Sequence, residues 1–160
     1  MAVRGYTPVG YYKDPKKSAA TFVTIDGATY SIPGDYAQVE ADGTLTLLGR
    51  GSVCINTGGE KVFPEEVEEV LKHHPDVLDA VAVGLPDDKF GEAITAVVQA
   101  KPGHELDENA LIAHVKAHLA SFKAPKKVVP IDTIGRAPNG KVDYKRLKGY
   151  AAEELGVPLS

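Results

Sequence analysis

The pattern of hydrophobic residues changes at about residue 53, and this change most restricts how the chain can fold. Before it, two pairs of short strand-like runs flank Asp26-Gly27 and Asp42-Gly43. Aspartate-glycine suits the positive φ angles of a two-residue hairpin turn, so the pattern predicts two β-hairpins. Two hairpins are too little for an independent core. We therefore interpret residues 1–49 as the β-rich tail of a larger domain.

After residue 53, strand-like runs alternate with helical ones. Pro64 suits the first turn of a helix, where no N–H donor is needed, and Pro75 would end that helix. Its apolar stripe consists of Val67, Val70 and Leu71, so its glutamates are expected to face water: Glu65, Glu66, Glu68 and Glu69.

The rest of the chain continues this alternation. Strands are predicted at 77–83, 93–98 and 127–131, and Asp107 and Asp143 are expected to begin further helices. The order predicts a compact α+β domain over residues 53–150, a small sheet with packed helices, followed by a tail at 151–160.

Composition excludes several classes of protein. The 160 residues carry a net charge of -4, which argues against binding of nucleic acid or anionic lipid. Apolar runs are too short to span a bilayer, so no transmembrane segment is expected, and Met1 is not followed by a secretory signal. The single cysteine, Cys54, excludes an intramolecular disulfide and suits a reducing cytoplasm. Its position in a strand-like run favours packing over thiol chemistry.

Three short motifs contain side chains that suit chemistry. Asp35, after Gly34, could accept hydrogen bonds from two ribose hydroxyls, or it could be an ordinary turn aspartate. Arg50, after Gly49, could bind ribose or phosphate oxygens, or form a surface ion pair. Asn139-Gly140 favours a tight turn that projects Lys141, which on this motif alone is best explained as a solvated lysine.

Taken together and in this order, these motifs resemble the C-terminal part of the adenylate-forming enzymes. Gly58-Gly59 and the Pro64–Glu68 segment lie between them and add to the resemblance, which covers nearly the whole chain. The superfamily includes acyl-CoA synthetases, luciferases and the adenylation domains of peptide synthetases. The resemblance implies that β-hairpins ending a large N-terminal domain precede a mobile C-terminal lid domain.

The resemblance also implies roles for the nucleotide-binding motifs. In the family, the lysine that matches Lys141 bridges the carboxylate and the nucleotide during adenylation, where an ammonium stabilises charge as two anions react. Asp35 and Arg50 match the family's ribose-binding residues. The family has threonine before the Gly-Asp pair, whereas this chain has Pro33, so one possible nucleotide contact is missing.

Two further assignments concern the hinge and coenzyme A. Residues 50–52 match the family's hinge, with Ser52 at the pivot position that is often aspartate or lysine; neighbouring Gly51 permits a wide backbone change. The Gly58-Gly59 loop resembles the loop that approaches the pantetheine arm of CoA. Phe90 matches an aromatic position lining the same tunnel, although core packing explains it equally well.

No Ser/Thr/Gly-rich phosphate loop ending in lysine occurs in the sequence. The chain therefore looks like a C-terminal fragment of an AMP-forming acyl-CoA synthetase for fatty or related acids, expected to be inactive alone. Its implied substrates are ATP, with Mg²⁺, and CoA, neither bound tightly by the fragment, and its implied partner is the missing N-terminal domain.

Two alternatives remain open. The chain could belong to an acyl-AMP ligase or to an adenylation domain that loads a carrier protein, or it could be a stand-alone binding module without chemistry. No metal site is expected, because His114 and His118 share a helix face but lack the glutamate of a zinc-protease helix.

Overall fold

A computed structural model describes residues 1–159. The chain divides into two compact units, Met1–Ser52 and Val53–Ser160. In the described residues no helix has both the length and the apolar character needed to cross a membrane. Each unit is built on β-structure, but only the second has an extensive buried core.

The first unit contains two small antiparallel sheets. Its elements are β1 (Val3–Arg4), α1 (Pro15–Thr21), β2 (Phe22–Ile25), β3 (Ala28–Ser31), β4 (Asp35–Val39) and β5 (Leu45–Arg50). One sheet has the order β1-β3-β2, and the other consists of β4 and β5. Both predicted hairpins are present, and Asp26 and Gly27 have the positive φ angles of 49° and 75° that the first turn requires.

Two predictions for this unit were wrong in detail. The second hairpin does not have a two-residue turn: Glu40 N–H bonds to the Thr44 carbonyl, and the Asp42 carboxylate accepts hydrogen bonds from the Thr44 N–H and hydroxyl. These side-chain bonds favour a longer loop. The segment expected to be wholly β also contains α1, because the Asp14 carboxylate caps the Lys17 N–H and Pro15 opens the helix.

The second unit is an α+β domain, as predicted. Its elements are β6 (Ile55–Thr57), β7 (Glu60–Val62), α2 (Pro64–Lys72), β8 (Val77–Asp87), β9 (Gly91–Ala100), α3 (Glu108–His118), β10 (Lys127–Pro130) and α4 (Tyr144–Leu155). Strand β9 is central: it pairs antiparallel with β8 over nearly its whole length and parallel with β10. One pair at its start, Thr57 with Gly91, joins it to the β6–β7 hairpin.

Alternation along β8 and β9 places helices on both faces of this sheet. Ala80, Ala82 and Ala96 pack in a core with residues of α2 and α3, whereas Val81 and Val97 pack in a second core with α4. The predicted helix starts are confirmed, because Asp107 and Asp143 cap α3 and α4 through their side chains. Helix α4 continues beyond residue 150, the end that we expected for the domain, because Ala151 and Ala152 are buried in the second core.

Candidate functional site

Asp35 and Arg50 lie opposite each other at the end of the β4–β5 hairpin. They are paired Cα partners, so their side chains share one face of the ribbon, and the Arg50 Nε lies 3.3 Å from the Asp35 Oδ1. The Arg50 side chain is 66% exposed and that of Asp35 is 30% exposed. An exposed ion pair of this kind contributes less than about 1 kcal/mol, so either group can exchange its partner for a ligand at little cost.

The division between the two units falls immediately after Ser52, the predicted pivot. Ser52 lies in a 3₁₀ turn, Gly51–Val53, and the Gly51 N–H donates to the Gly34 carbonyl at 3.2 Å. A Cβ at Gly51 would lie 2.5 Å from the Tyr36 ring carbon Cε2. A side chain at position 51 would therefore displace the exposed Tyr36 ring. The pivot role of Ser52 stays a prediction.

The structure brings Gly58, Gly59 and Phe90 together. The two glycines form the β6–β7 turn with φ angles of 61° and 87°, and the Gly58 N–H donates to the Phe90 carbonyl at 2.8 Å. A Cβ at Gly58 would lie 3.4 Å from the Phe90 ring carbon Cδ1, so the turn and the ring are in van der Waals contact. Phe90 is half-buried and belongs to neither hydrophobic core, in contrast to the core-packing alternative.

Two lysines that the sequence analysis did not select lie over the same ring. The ammonium groups of Lys89 and Lys126 are 5.2 and 5.0 Å from the centre of the Phe90 ring. Both distances allow cation–π attraction. Lys89 neighbours Phe90 in sequence and could have been noticed, but Lys126 comes from the segment before β10 and only the fold places it here.

Lys141 extends from a tight turn immediately before α4. The Gly140 N–H donates to the Ala137 carbonyl at 2.8 Å, the Ala137 N–H donates to the Lys141 carbonyl at 2.9 Å, and the Lys141 N–H donates to the Asn139 side-chain oxygen at 3.2 Å. Gly140 has a φ of 77°, which explains the glycine. Lys141 is exposed, so the turn presents its ammonium to solvent.

On the N-terminal side of the turn, Arg136 forms a forked ion pair with Asp79 on β8. Its Nε and Nη2 donate to the two Asp79 carboxylate oxygens at 2.6 and 2.8 Å, and its Nη1 donates to the Gly140 carbonyl at 3.3 Å. Burial disfavours ionisation of Asp79, but the hydrogen bonds and charge of Arg136 outweigh that effect and lower the pKa of the carboxyl.

On the C-terminal side of the turn, the Tyr144 hydroxyl donates to a Glu68 carboxyl oxygen at 3.0 Å, and the Ala82 N–H donates to the same oxygen at 3.1 Å. The expectation that Glu68 faces water was wrong, since only 5% of it is exposed. Burial raises the pKa of Glu68 to about 7, although both hydrogen bonds favour the ionised form.

The remaining candidates show no built site. The His114 and His118 rings are 4.6 Å apart, but the His114 Nε2 lies 3.0 Å from the Val70 carbonyl oxygen. Within residues 1–159, no three His, Cys, Asp or Glu side chains are arranged to hold a metal ion. Cys54 is free and half-buried, and burial raises the pKa of its thiol, which disfavours the reactive thiolate.

Known proteins resemble this chain in both sequence and structure. Residues 66–141 match the AMP-binding enzyme C-terminal domain. A medium/long-chain-fatty-acid–CoA/3-oxocholest-4-en-26-oate–CoA ligase of Mycolicibacterium smegmatis is 54% identical over 96% of this chain and 28% of its own length. A 3-oxocholest-4-en-26-oate–CoA ligase of Rhodococcus rhodochrous is 53% identical over 98% of this chain and 28% of its own length.

Among solved structures, o-succinylbenzoate CoA synthetase from Bacillus subtilis, in complex with its acyl-adenylate intermediate, matches with a TM-score of 0.77 and 29% identity. The match covers 87% of this chain and 28% of that one. The chain thus spans little more than a quarter of the length of these relatives. It belongs to the AMP-binding, adenylate-forming enzymes and carries their C-terminal domain.

Proposed function

We propose that the chain is the C-terminal catalytic part of an AMP-forming acyl-CoA synthetase. The complete enzyme would convert a carboxylic acid and ATP to acyl-AMP and pyrophosphate, and then transfer the acyl group to the thiol of CoA with release of AMP. The observation that carries this proposal is the 54% identity, over 96% of the chain, to a fatty-acid–CoA ligase. A fatty or related acid is accordingly the substrate class.

In the first half-reaction the proposed role of Lys141 is electrostatic. The acid carboxylate attacks the α-phosphate of ATP, and the pyrophosphate leaves. Both reacting groups are anionic, so a positioned ammonium stabilises the charge that accumulates between them. Asp35 would accept hydrogen bonds from the ribose hydroxyls, and Arg50 would donate to ribose oxygens. Mg²⁺ is expected with the ATP phosphates, although no residue of this chain is assigned to it.

In the second half-reaction the β6–β7 turn would guide CoA to the acyl-AMP. Gly58 and Gly59 leave room for the pantetheine arm to approach the backbone, and Phe90 offers an aromatic face beside it. The ammonium groups of Lys89 and Lys126 beside that ring suit the phosphates of CoA. Rotation about Ser52 between the half-reactions would move the Lys141 turn out of the active site and bring the surface formed by Gly58, Gly59 and Phe90 into it.

The proposal is tested by measuring the half-reactions separately. In the full-length enzyme, Lys141→Ala should lower acid-dependent exchange of labelled pyrophosphate into ATP by on the order of a hundredfold or more. Thioester formation from supplied acyl-AMP should be largely retained. Lys145→Ala, an exposed lysine on the first turn of α4, is the control. An equal fall in both half-reactions would show that Lys141 does not act in the first step.

The 160-residue chain supplies a second test. It has no phosphate loop of its own, so it should catalyse no acid-dependent exchange with ATP and a panel of fatty acids. Exchange well above a Lys141→Ala control would contradict its assignment as a part of the catalytic unit. Supplying a carrier protein in place of CoA tests the alternative acceptor.

We also propose a cytoplasmic location, which the single free cysteine suits.

A further inference from the structure

The turn that carries Lys141 is fastened to the sheet by one arginine. Arg136 reaches from the segment before the turn to Asp79 on β8 and uses two of its nitrogens to grip both carboxylate oxygens. Its remaining terminal nitrogen donates to the carbonyl of Gly140, the residue directly before Lys141. One planar group thus connects a strand of the sheet to the peptide unit that begins the lysine.

The other hydrogen bonds of the turn do not perform this function. Those among Ala137, Asn139, Gly140 and Lys141 are internal to the turn and fix its shape. On the C-terminal side, Val142 packs against the second core, so Arg136 is the contact that holds the N-terminal side of the turn. Asp79, by contrast, lies on β8 beside Ala80, which is fully buried in the first core. Arg136 therefore restrains the position of the turn relative to a strand of the core.

We propose that Arg136, held by Asp79, is a positioning residue that aims the Lys141 ammonium during adenylation. The inference rests on the proposed function of Lys141. Arg136 touches neither substrate in this role; it acts through the Gly140 carbonyl. Because a displacement of about 1 Å from the reacting groups can cost about a hundredfold in rate, a single anchoring contact can control the first half-reaction.

A purely structural ion pair would behave differently. The Asp79 and Arg136 side chains are only 17% and 32% exposed and form a forked pair, so removing either partner leaves a largely buried charge unpaired and can lower stability by itself. Arg136→Lys keeps a positive charge for Asp79, but a single ammonium has no planar fork that serves two carboxylate oxygens and the Gly140 carbonyl at once. A positioning role therefore predicts that lysine preserves stability without restoring adenylation.

The experiment compares Arg136→Ala, Arg136→Lys and Asp79→Asn in the full-length enzyme, with Lys127→Ala as control. Lys127 forms a different ion pair of the same domain, with Glu108 at 3.5 Å. We expect kcat for adenylation to fall about ten- to a hundredfold in Arg136→Ala, the effect of one charged hydrogen bond. KM for ATP and acid should stay within about twofold.

Further expectations separate positioning from general damage. Thioester formation from supplied acyl-AMP should be retained, Arg136→Lys should melt like the wild type yet adenylate slowly, and Lys127→Ala should resemble the wild type. Unchanged adenylation in Arg136→Ala, an equal loss of both half-reactions, or full recovery with lysine would overturn the proposal.

A measurement on the 160-residue chain does not depend on catalysis. NMR order parameters of the Gly140 and Lys141 amides should decrease in Arg136→Ala and stay unchanged in Lys127→Ala. Unchanged order parameters in Arg136→Ala would refute the anchor itself. If the wild-type enzyme showed no acid-dependent exchange while the order parameters decreased, the proposed function and the positioning role would fail and only the mechanical anchor would stand.

Discussion

A buried glutamate makes the stability of the second unit depend on pH. Glu68 is almost completely buried, and its carboxyl accepts hydrogen bonds from the Ala82 N–H and the Tyr144 hydroxyl. Burial raises its pKa from 4.5 to about 7. Glutamine at position 68 has the same shape and could accept both hydrogen bonds, but it does not titrate.

The sign and size of the effect follow from linkage. Between pH 4.5 and 7 the unfolded chain has lost the Glu68 proton while the folded chain keeps it, so the free energy of unfolding decreases as the pH rises. A pKa change of one unit corresponds to about 1.4 kcal/mol, so the free energy of unfolding should be lower by about 3 kcal/mol at pH 8 than at pH 4.5. The contribution is fully present below pH 4.5.

The assay is urea unfolding of the chain at several pH values between 4.5 and 8, followed by circular dichroism. As the pH rises across this range, we expect the free energy of unfolding of Glu68→Gln to increase by up to about 3 kcal/mol relative to that of the wild type. Glu69→Gln is the matched control, because Glu69 is exposed on the same helix and has a pKa lowered by Lys72. Parallel pH curves for Glu68→Gln and wild type, or a carbon-13 titration of Glu68 centred near pH 4.5, would refute the reasoning.

Two further predictions concern the full-length enzyme. Ser52→Pro fixes φ near about −65° at the proposed pivot, so one half-reaction should be nearly intact and the other strongly impaired, with an unchanged thermal melt. Equal retention of both half-reactions would show that the chain does not pivot there. Phe90→Ala removes the ring beside Gly58 and should raise KM for CoA severalfold while acid-dependent pyrophosphate exchange is retained. An unchanged KM for CoA would contradict the assignment of Phe90 to the CoA surface.

Local signals accounted for the parts of the fold that the sequence predicted correctly. Asp107 and Asp143 cap helices through bonds that span two or three residues, and the Asp26-Gly27 turn needs only its own backbone angles. Such features are specified by neighbouring residues, so no tertiary information is required. Asp14-Pro15 is the same kind of signal, and helix α1 could have been predicted from it.

The burial of Glu68 shows where chemical identity misled the prediction. The buried residues of α2 are Pro64, Val67, Glu68 and Leu71, which follow the i, i+3, i+4, i+7 spacing of a single helix face. The spacing therefore placed Glu68 on the buried face, but its charge suggested water. Only the fold supplies Tyr144 and Ala82, the partners that make burial tolerable.

The same distinction applies to the candidate site. The turn at Lys141 was predictable because Asn139 and Gly140 are adjacent to it, whereas the pairing of Arg136 with Asp79 joins residues 57 positions apart. The approach of Lys126 to Phe90 likewise depends on how the elements pack. Sequence patterns thus suggested the residues that we propose to touch substrates, but not the residues that hold or surround them.

These long-range contacts have a common consequence for a domain that is proposed to move. A lysine delivered by rotation is effective only if its position within the moving domain is already fixed, because each residual degree of freedom must be lost again before reaction. Lys141 lies between two anchors: Arg136 ties the turn to β8, and Tyr144 ties the start of α4 to Glu68 on α2. Rotation about the pivot would then bring Lys141 to the reacting groups, and the two anchors would fix its position within the domain. An anchor variant should therefore always impair adenylation, whereas a pivot variant should impair whichever half-reaction needs the conformation that it excludes.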